Sequence, residues 1–183
     1  MRRAFIVVIA ALAMIGLAAG PASAASVHLK GGKNAEPSFT DNGLSLHATG
    51  DLSGLGNGDI LITLTAQADV TSTCTTPSGS NEAPGQNPAP ITVSGSQAIP
   101  AGEVKNGTVT FSVSTAAPSA IIAGAPDCPN SGWIEAITDL AFTSAVIRVE
   151  QPVGTTVLTV SCSFSPATSN GPVPAGTVTC TQS

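Results

Sequence analysis

Few side chains in this chain have the chemistry for catalysis. After the first 24 residues there are two histidines, His28 and His47, one tryptophan and no tyrosine. No serine sits in a Gly-x-Ser-x-Gly elbow, and neither a His-Glu-x-x-His pair nor a phosphate-cradling glycine loop occurs. A Ser–His–Asp triad is assembled in space rather than along the chain, yet nothing marks one serine as a nucleophile. His47, inside Leu44-Ser45-Leu46-His47-Ala48, reads as an ordinary strand residue. Glu135 and Asp139 share a strand parity and have the residue types of a glycosidase acid–base pair. With no tyrosine and one tryptophan, the platforms that grip a sugar ring are scarce, and the pair reads instead as surface charge. The expectation is a protein that is not an enzyme and has no catalytic residue.

Two patterns have the chemistry of metal ligands. Asp41, Asn42, Asp51, Ser53, Asn57 and Asp59 crowd two glycine-rich turns with hard oxygen donors of the kind calcium takes. No glutamate closes a twelve-residue EF-hand loop, and Asp and Asn are also the ordinary residues of turns. The turn reading is preferred; calcium, on Asp41, Asp51, Asn57 and Asp59, is the alternative, and no other cofactor is expected. The second pattern is Ser26-Val27-His28. If the mature chain began at Ser26, its amine, two backbone nitrogens and the imidazole would offer a square-planar site for Cu(II) or Ni(II).

The cysteines are four and far apart: Cys74, Cys128, Cys162 and Cys180. Paired C-x-x-C spacing of a zinc site is absent, and an even count in an exported chain reads as two disulfides. Leu158, Val160, Cys162 and Phe164 share one parity, and Val178 and Cys180 another, as on one hairpin. That predicts Cys162–Cys180 and leaves Cys74–Cys128, among three possible pairings.

Export itself is read from the start of the chain. Arg2 and Arg3 precede an apolar run over Ala4–Ala19, and Ala22-Ser23-Ala24 supplies a small-residue cleavage pattern. The run is shorter than the ~20 residues of a membrane span. Residues 1–24 are therefore expected to be a secretory signal peptide, with processing after Ala24 or Ala25. No membrane span is expected after cleavage, and the alanine-rich leader suggests a bacterial, secreted, extracellular protein. Removing 24 of 183 residues leaves 159, with four basic side chains against eleven acidic ones. A net charge of −7 argues against nucleic acid and anionic membrane surfaces as partners.

The elements that must position these residues are strands. Asp59 to Thr75 alternates Ile60, Ile62, Leu64, Ala66, Ala68, Val70 and Cys74 against threonines, Gln67 and Asp69, the period of a half-buried strand. Gly54–Asp59 reads as a hairpin connection into it, through Asn57-Gly58. The pattern then collapses over 76–90 into a proline-rich segment, longer than most structureless loops. Pro90–Ser94 and Gly107–Ser114 are further strands, and Ala116–Pro126 is a loop with room for a turn of helix. Trp133–Thr138 and Ala141–Glu150 read as two strands, with Ala145, Ile147 and Val149 inward. About nine strands and no amphipathic helix predict an all-β fold, an antiparallel, immunoglobulin-like β-sandwich over 25–183, with a closed barrel as the alternative.

The functional expectation is correspondingly coarse: a secreted, non-catalytic binding or structural module whose partner is an extracellular protein or cell-envelope component. Asn81, Glu82, Gln86 and Asn87, on the proline-stiffened loop between Cys74 and Cys128, are the candidate contact residues, with Trp133 beside them. Trp133 itself is expected to pack more into the core than outward. A protease inhibitor inserting the 76–90 loop and an unrecognised hydrolase are the alternatives.

Overall fold

A computed structural model describes residues 26–86 and 88–183. The signal-peptide reading over 1–24, the processing point and Asn87 lie outside the described residues. Among the described residues twelve strands follow in chain order: β1 (His28–Leu29), β2 (Ser38–Asp41), β3 (Leu46–Ser53), β4 (Ile60–Thr75), β5 (Glu82–Pro84), β6 (Ile91–Ile99), β7 (Thr108–Ser114), β8 (Ile121–Ile122), β9 (Ile134–Glu150), β10 (Thr156–Phe164), β11 (Gly171–Pro172) and β12 (Val178–Gln182). One 3-10 turn, Ala101–Glu103, is the only helical element among the described residues.

The strands form two antiparallel sheets facing one another, and neither closes into a barrel. In the smaller sheet β3 is central, with β7 on one side and β1, then β2, along the other; β11 extends the β2 edge. In the larger sheet the order is β12-β10-β9-β4, with β6 and β5 sharing the far edge of β4 and β8 beside the start of β9. β4 alternates buried and outward residues over its whole length, as its period requires. Ile60, Ile62 and Leu64 meet Leu46, Leu52, Phe111 and Val113 in the core between the sheets. Phe39 of β2 and Phe164 of β10 join the layers edge to face, with ring centroids 5.1 Å apart.

Three sequence expectations change here. The residues read as two strands, Trp133–Thr138 and Ala141–Glu150, are one strand of 17 residues with two bulges. Opposite β4, Thr138 and Thr143 are the extra residues, and each seals its bulge by donating its hydroxyl to a β4 carbonyl, Thr71 and Gln67. Each bulge reverses parity, so β9 buries Glu135 and Ile137, then Leu140 and Phe142, then Ala145, Ile147 and Val149. A reading by simple alternation breaks at those two points.

Gly54–Asp59 is not a hairpin: β3 and β4 belong to different sheets, and the segment crosses between them. The Gln151 side chain holds it, accepting from the Gly56 N–H and donating to the carbonyls of Gly56 and Gly58. The two-residue turn falls instead at Asn106-Gly107, with φ of 51° and 72°, closed by Lys105 and Thr108. Finally, Ala116–Pro126 contains the short strand β8 and no helix.

Side chains and one glycine lace the two sheets at their edges. Gln182 of β12 accepts from the Leu29 N–H of β1 and donates to the Gly32 and Ala35 carbonyls. At the opposite edge, Gln97 of β6 accepts from the Ser112 N–H of β7. Gly95 lets the two backbones touch: a Cβ there would lie 1.9 Å from the Ser114 carbonyl oxygen. Both disulfides are formed, Cys74–Cys128 and Cys162–Cys180, the pairing expected from strand parity. Cys162 and Cys180 face each other directly in the β10–β12 register.

Candidate functional site

β4 and β9 run on together beyond the apolar core, and this end of the molecule carries the loop residues. The core stops at Val70 and Ile137. Further along, the buried face of the ribbon consists of Ser72, Cys74 and Glu135, with Cys74 directly opposite Glu135. An apolar face is replaced by a carboxylate, a hydroxyl and a disulfide. The Cys128 segment covers them, tied down through Cys74.

Glu135 organises this end. It is fully buried, where the sequence reading made it surface charge, and Asp139, on the other side of the Thr138 bulge, lies half-buried against Asn170. The bulge breaks the shared parity on which the glycosidase pair depended. Glu135 Oε1 accepts the Ser72 hydroxyl at 2.7 Å and Oε2 the Asp127 N–H at 3.3 Å. A buried charged group needs such donors on both oxygens. Among the described residues no buried side-chain nitrogen or oxygen lacks a hydrogen-bond partner.

The loop is latched onto this group. Its first part is a hairpin: β4 turns through 76–81, closed by Thr76 and Asn81, and returns as β5 along the β4 edge. The segment read as continuous loop over 76–90 therefore contains a strand, and Pro84 sits in it because an edge strand tolerates the missing N–H. Gly85 then donates to the Ser72 carbonyl and Gln86 to the Asp127 carbonyl, both within 2.9 Å. Glycine allows this approach at 85: with Ser72 where it stands, a Cβ would lie 1.8 Å from Ser72 Oγ and 3.3 Å from Glu135 Oε1. The chain after the hairpin is clamped between β4 and the Cys128 segment.

Asn81, Glu82 and Gln86 are all exposed on this latched hairpin. Gln86 also lines a cleft of about 250 Å³ with Pro126, Asp127, Cys128 and Pro129. Trp133 is half-buried in the turn before β9, its N–H on the Asn130 carbonyl, and stands outside the core cluster in which it was expected. Ile134 and Ile121, both large and exposed, continue the surface along β9 and β8.

The calcium candidates do not converge. Asp41 is buried, and its oxygens accept from the Gly43 N–H and the Thr168 hydroxyl. Asp51 accepts from the Thr110 hydroxyl, Asp59 from the Ala101 N–H, and Asn57 is exposed in the crossover. Among the described residues no group of three or more His, Cys, Asp or Glu side chains is placed to hold a metal ion. Asp41 closes a turn and Asp59 a strand start, as turn chemistry has it, while Asp51 makes a cross-strand pair with Thr110 inside the β3–β7 ladder. Asp51 also borders a surface cleft of about 250 Å³ with Lys30, Glu103, Lys105 and Thr108.

His47 faces outward on β3. Its Nδ1 lies 2.8 Å from Ser114 Oγ and its Nε2 3.4 Å from Ser112 Oγ, an exposed grouping with both serines on β7. Sequence reasoning did not single out Ser72 or Asp127. Ser72 was legible only as the one hydroxyl on the apolar parity of β4, between Val70 and Cys74. Among the described residues no helix is long and apolar enough to cross a membrane. No family model matches the chain, and neither a curated protein nor a solved structure matches it.

Proposed function

We propose that the chain is a secreted, non-catalytic binding or structural module, exported by its leader as one immunoglobulin-like sandwich domain over 25–183. Its contact surface is the latched hairpin and the Cys128 segment beside it. The observation that carries this reading is the cost invested in the hairpin: a buried glutamate, a glycine packed against Ser72 and a disulfide all fix a segment that only needs to connect two strands. A preorganised polar loop loses little entropy when it is bound, which is what a recognition surface requires. Two disulfides are in keeping with an oxidising, extracellular location. Scarce charge on an acidic chain favours a protein or cell-envelope component as partner over nucleic acid or an anionic membrane. A bacterial origin is part of the same proposal and rests on the leader alone.

The test is a pull-down from the producing cell's culture fluid and envelope with two baits, the exported domain and the variant Asn81→Ala, Glu82→Ala, Gln86→Ala. These three side chains are exposed, so the latch beneath them stays intact. Capture by the first bait and not the second supports the hairpin as the contact surface; equal capture moves it to another face. A protease inhibitor is the second reading, favoured by the closed 76–81 turn, whose Thr76, Ser78 and Ser80 hydroxyls bond to one another. It predicts inhibition of a secreted protease that is lost when the turn is cut.

A further inference from the structure

The tripeptide Ser26-Val27-His28 is untouched by this reading. We propose that export is completed by cleavage after Ala25 and that the chain so released binds one Cu(II) or Ni(II) ion at its amino terminus. The ligands are the Ser26 amine, the backbone nitrogens of Val27 and His28, and His28 Nδ1. Four nitrogens in sequence close two five-membered chelate rings and one six-membered ring in a plane, the geometry these two ions favour. Ser23 and Ala25 are as small as Ala22 and Ala24, so the cleavage pattern fits either position.

The structure adds two observations. The His28 ring is folded back over the preceding residues, with Nδ1 2.7 Å from the Ser26 carbonyl oxygen rather than turned out along the strand. The ring thus leans towards Ser26, within reach of its nitrogen; because the Ser26 carbonyl oxygen points away from the ion in the chelate, binding exchanges this contact for the metal. Beside it is a cleft of about 290 Å³ bordered by Ser26, His28, Lys33, Leu158, Gln182 and Ser183, which leaves space at the terminus. The buried Val27 side chain and, one residue beyond the tripeptide, the Leu29 N–H bond to Gln182 hold this end of the chain on the domain.

Binding releases the protons of the Val27 and His28 amides and of the Ser26 ammonium to solvent, and the ring proton held against the Ser26 carbonyl is carried on Nε2 instead, so binding strengthens as pH rises. His28 faces Ser53 in the β1–β3 register, and a metal-bound His28 nitrogen leaves that ladder while Leu29 stays anchored. One added residue destroys the site: with Ala25 retained, the histidine becomes fourth and the three fused rings no longer form.

The experiment uses the protein exported by its own producing cell, purified without chelating resins. Intact mass and amino-terminal sequencing give the first residue, and titration with CuCl2 at neutral pH follows the visible absorption of a four-nitrogen tetragonal site. The expected result is a chain beginning at Ser26 that takes up one equivalent of Cu(II). Two comparisons, a chain beginning at Ala25 and His28→Ala, should bind at least about 100-fold more weakly. The first of these changes no side chain of the folded domain, so it remains decisive if His28→Ala perturbs β1. An exported chain that begins at Ala25 or elsewhere overturns the proposal, as does equal Cu(II) affinity for the chains beginning at Ser26 and Ala25.

Discussion

Replacing Glu135 with glutamine tests the latch with the smallest possible change. The substitution keeps the volume of a side chain with no exposure and exchanges one carboxylate oxygen for an NH2 group. In the native site both oxygens accept, one from the Ser72 hydroxyl and one from the Asp127 N–H. A hydrogen bond to a charged acceptor contributes about 1.5–3 kcal/mol and a neutral one about 0.5–1.5 kcal/mol. With the amide oxygen kept on the Asp127 N–H and the new NH2 donating to a turned Ser72 hydroxyl, both bonds become neutral ones, and two bonds weakened by that difference amount to about 2–3 kcal/mol. The lower cost of burying a neutral amide brings the expected loss towards about 2 kcal/mol. In a domain of this size that is a fall in Tm of roughly 4–8 °C. The assay is urea unfolding without reductant, comparing wild type, Glu135→Gln, Ser72→Ala and the double variant. The cycle should show a Ser72–Glu135 coupling of about 1–2 kcal/mol at an unchanged m value. A Glu135→Gln midpoint within about 0.5 kcal/mol of wild type, or a cycle that closes without coupling, would refute the claim that this carboxylate holds the loop.

Other expectations follow from single contacts. Gly85→Ala should cost about 1–3 kcal/mol and displace the Ser72 hydroxyl, seen as loss of amide protection at Gly85 and Gln86. Gly95→Ala meets a backbone oxygen that no rotamer can move, so its loss in a urea melt should exceed that of Gly85→Ala. Removing both cysteines of the Cys74–Cys128 bridge, which spans 54 residues, should lower stability by ~4 kcal/mol; for the Cys162–Cys180 bridge, spanning 18, the figure is ~3 kcal/mol. Denaturant midpoints of the two double variants check that order. Thr138→Val and Thr143→Val should each cost about 1 kcal/mol by thermal melting, since each removes the hydroxyl that seals a bulge.

The fold was legible wherever one strand faces the core without interruption. β4 alternates through sixteen residues, so its buried face and the orientation of Cys74 could be read directly. The parity of Leu158 to Phe164 likewise put Cys162 on the side facing Cys180. β9 was less transparent because a bulge is a pairing property: nothing in Thr138 or Thr143 announces that β4 has no residue opposite it. That one local event turned a single strand into two on paper and placed Glu135 and Asp139 on a common face. The buried carboxylate was hidden for a similar reason. Its donors, Ser72 and the Asp127 backbone, are 63 and 8 residues away, and only the fold brings both to it. The Asn-Gly rule held for turn geometry but not for position. Gln151 captures the crossover at Asn57-Gly58, leaving Asn106-Gly107 to make the two-residue turn. Candidate contact residues at Asn81, Glu82 and Gln86 were legible as exposed polar groups on a stiff segment. That the segment is a clamped hairpin was not, because the clamp is Gly85 against residues distant in sequence.

Native-state hydrogen exchange at Gly85 and Gln86 tests the clamp most directly. Both amides donate to backbone carbonyls beneath the loop, so the account predicts protection comparable to the β4 amides and a marked loss of it in Glu135→Gln. Exchange at the rate of a free loop in the wild-type protein would contradict it and return 76–90 to the status of a slack connection between sheets.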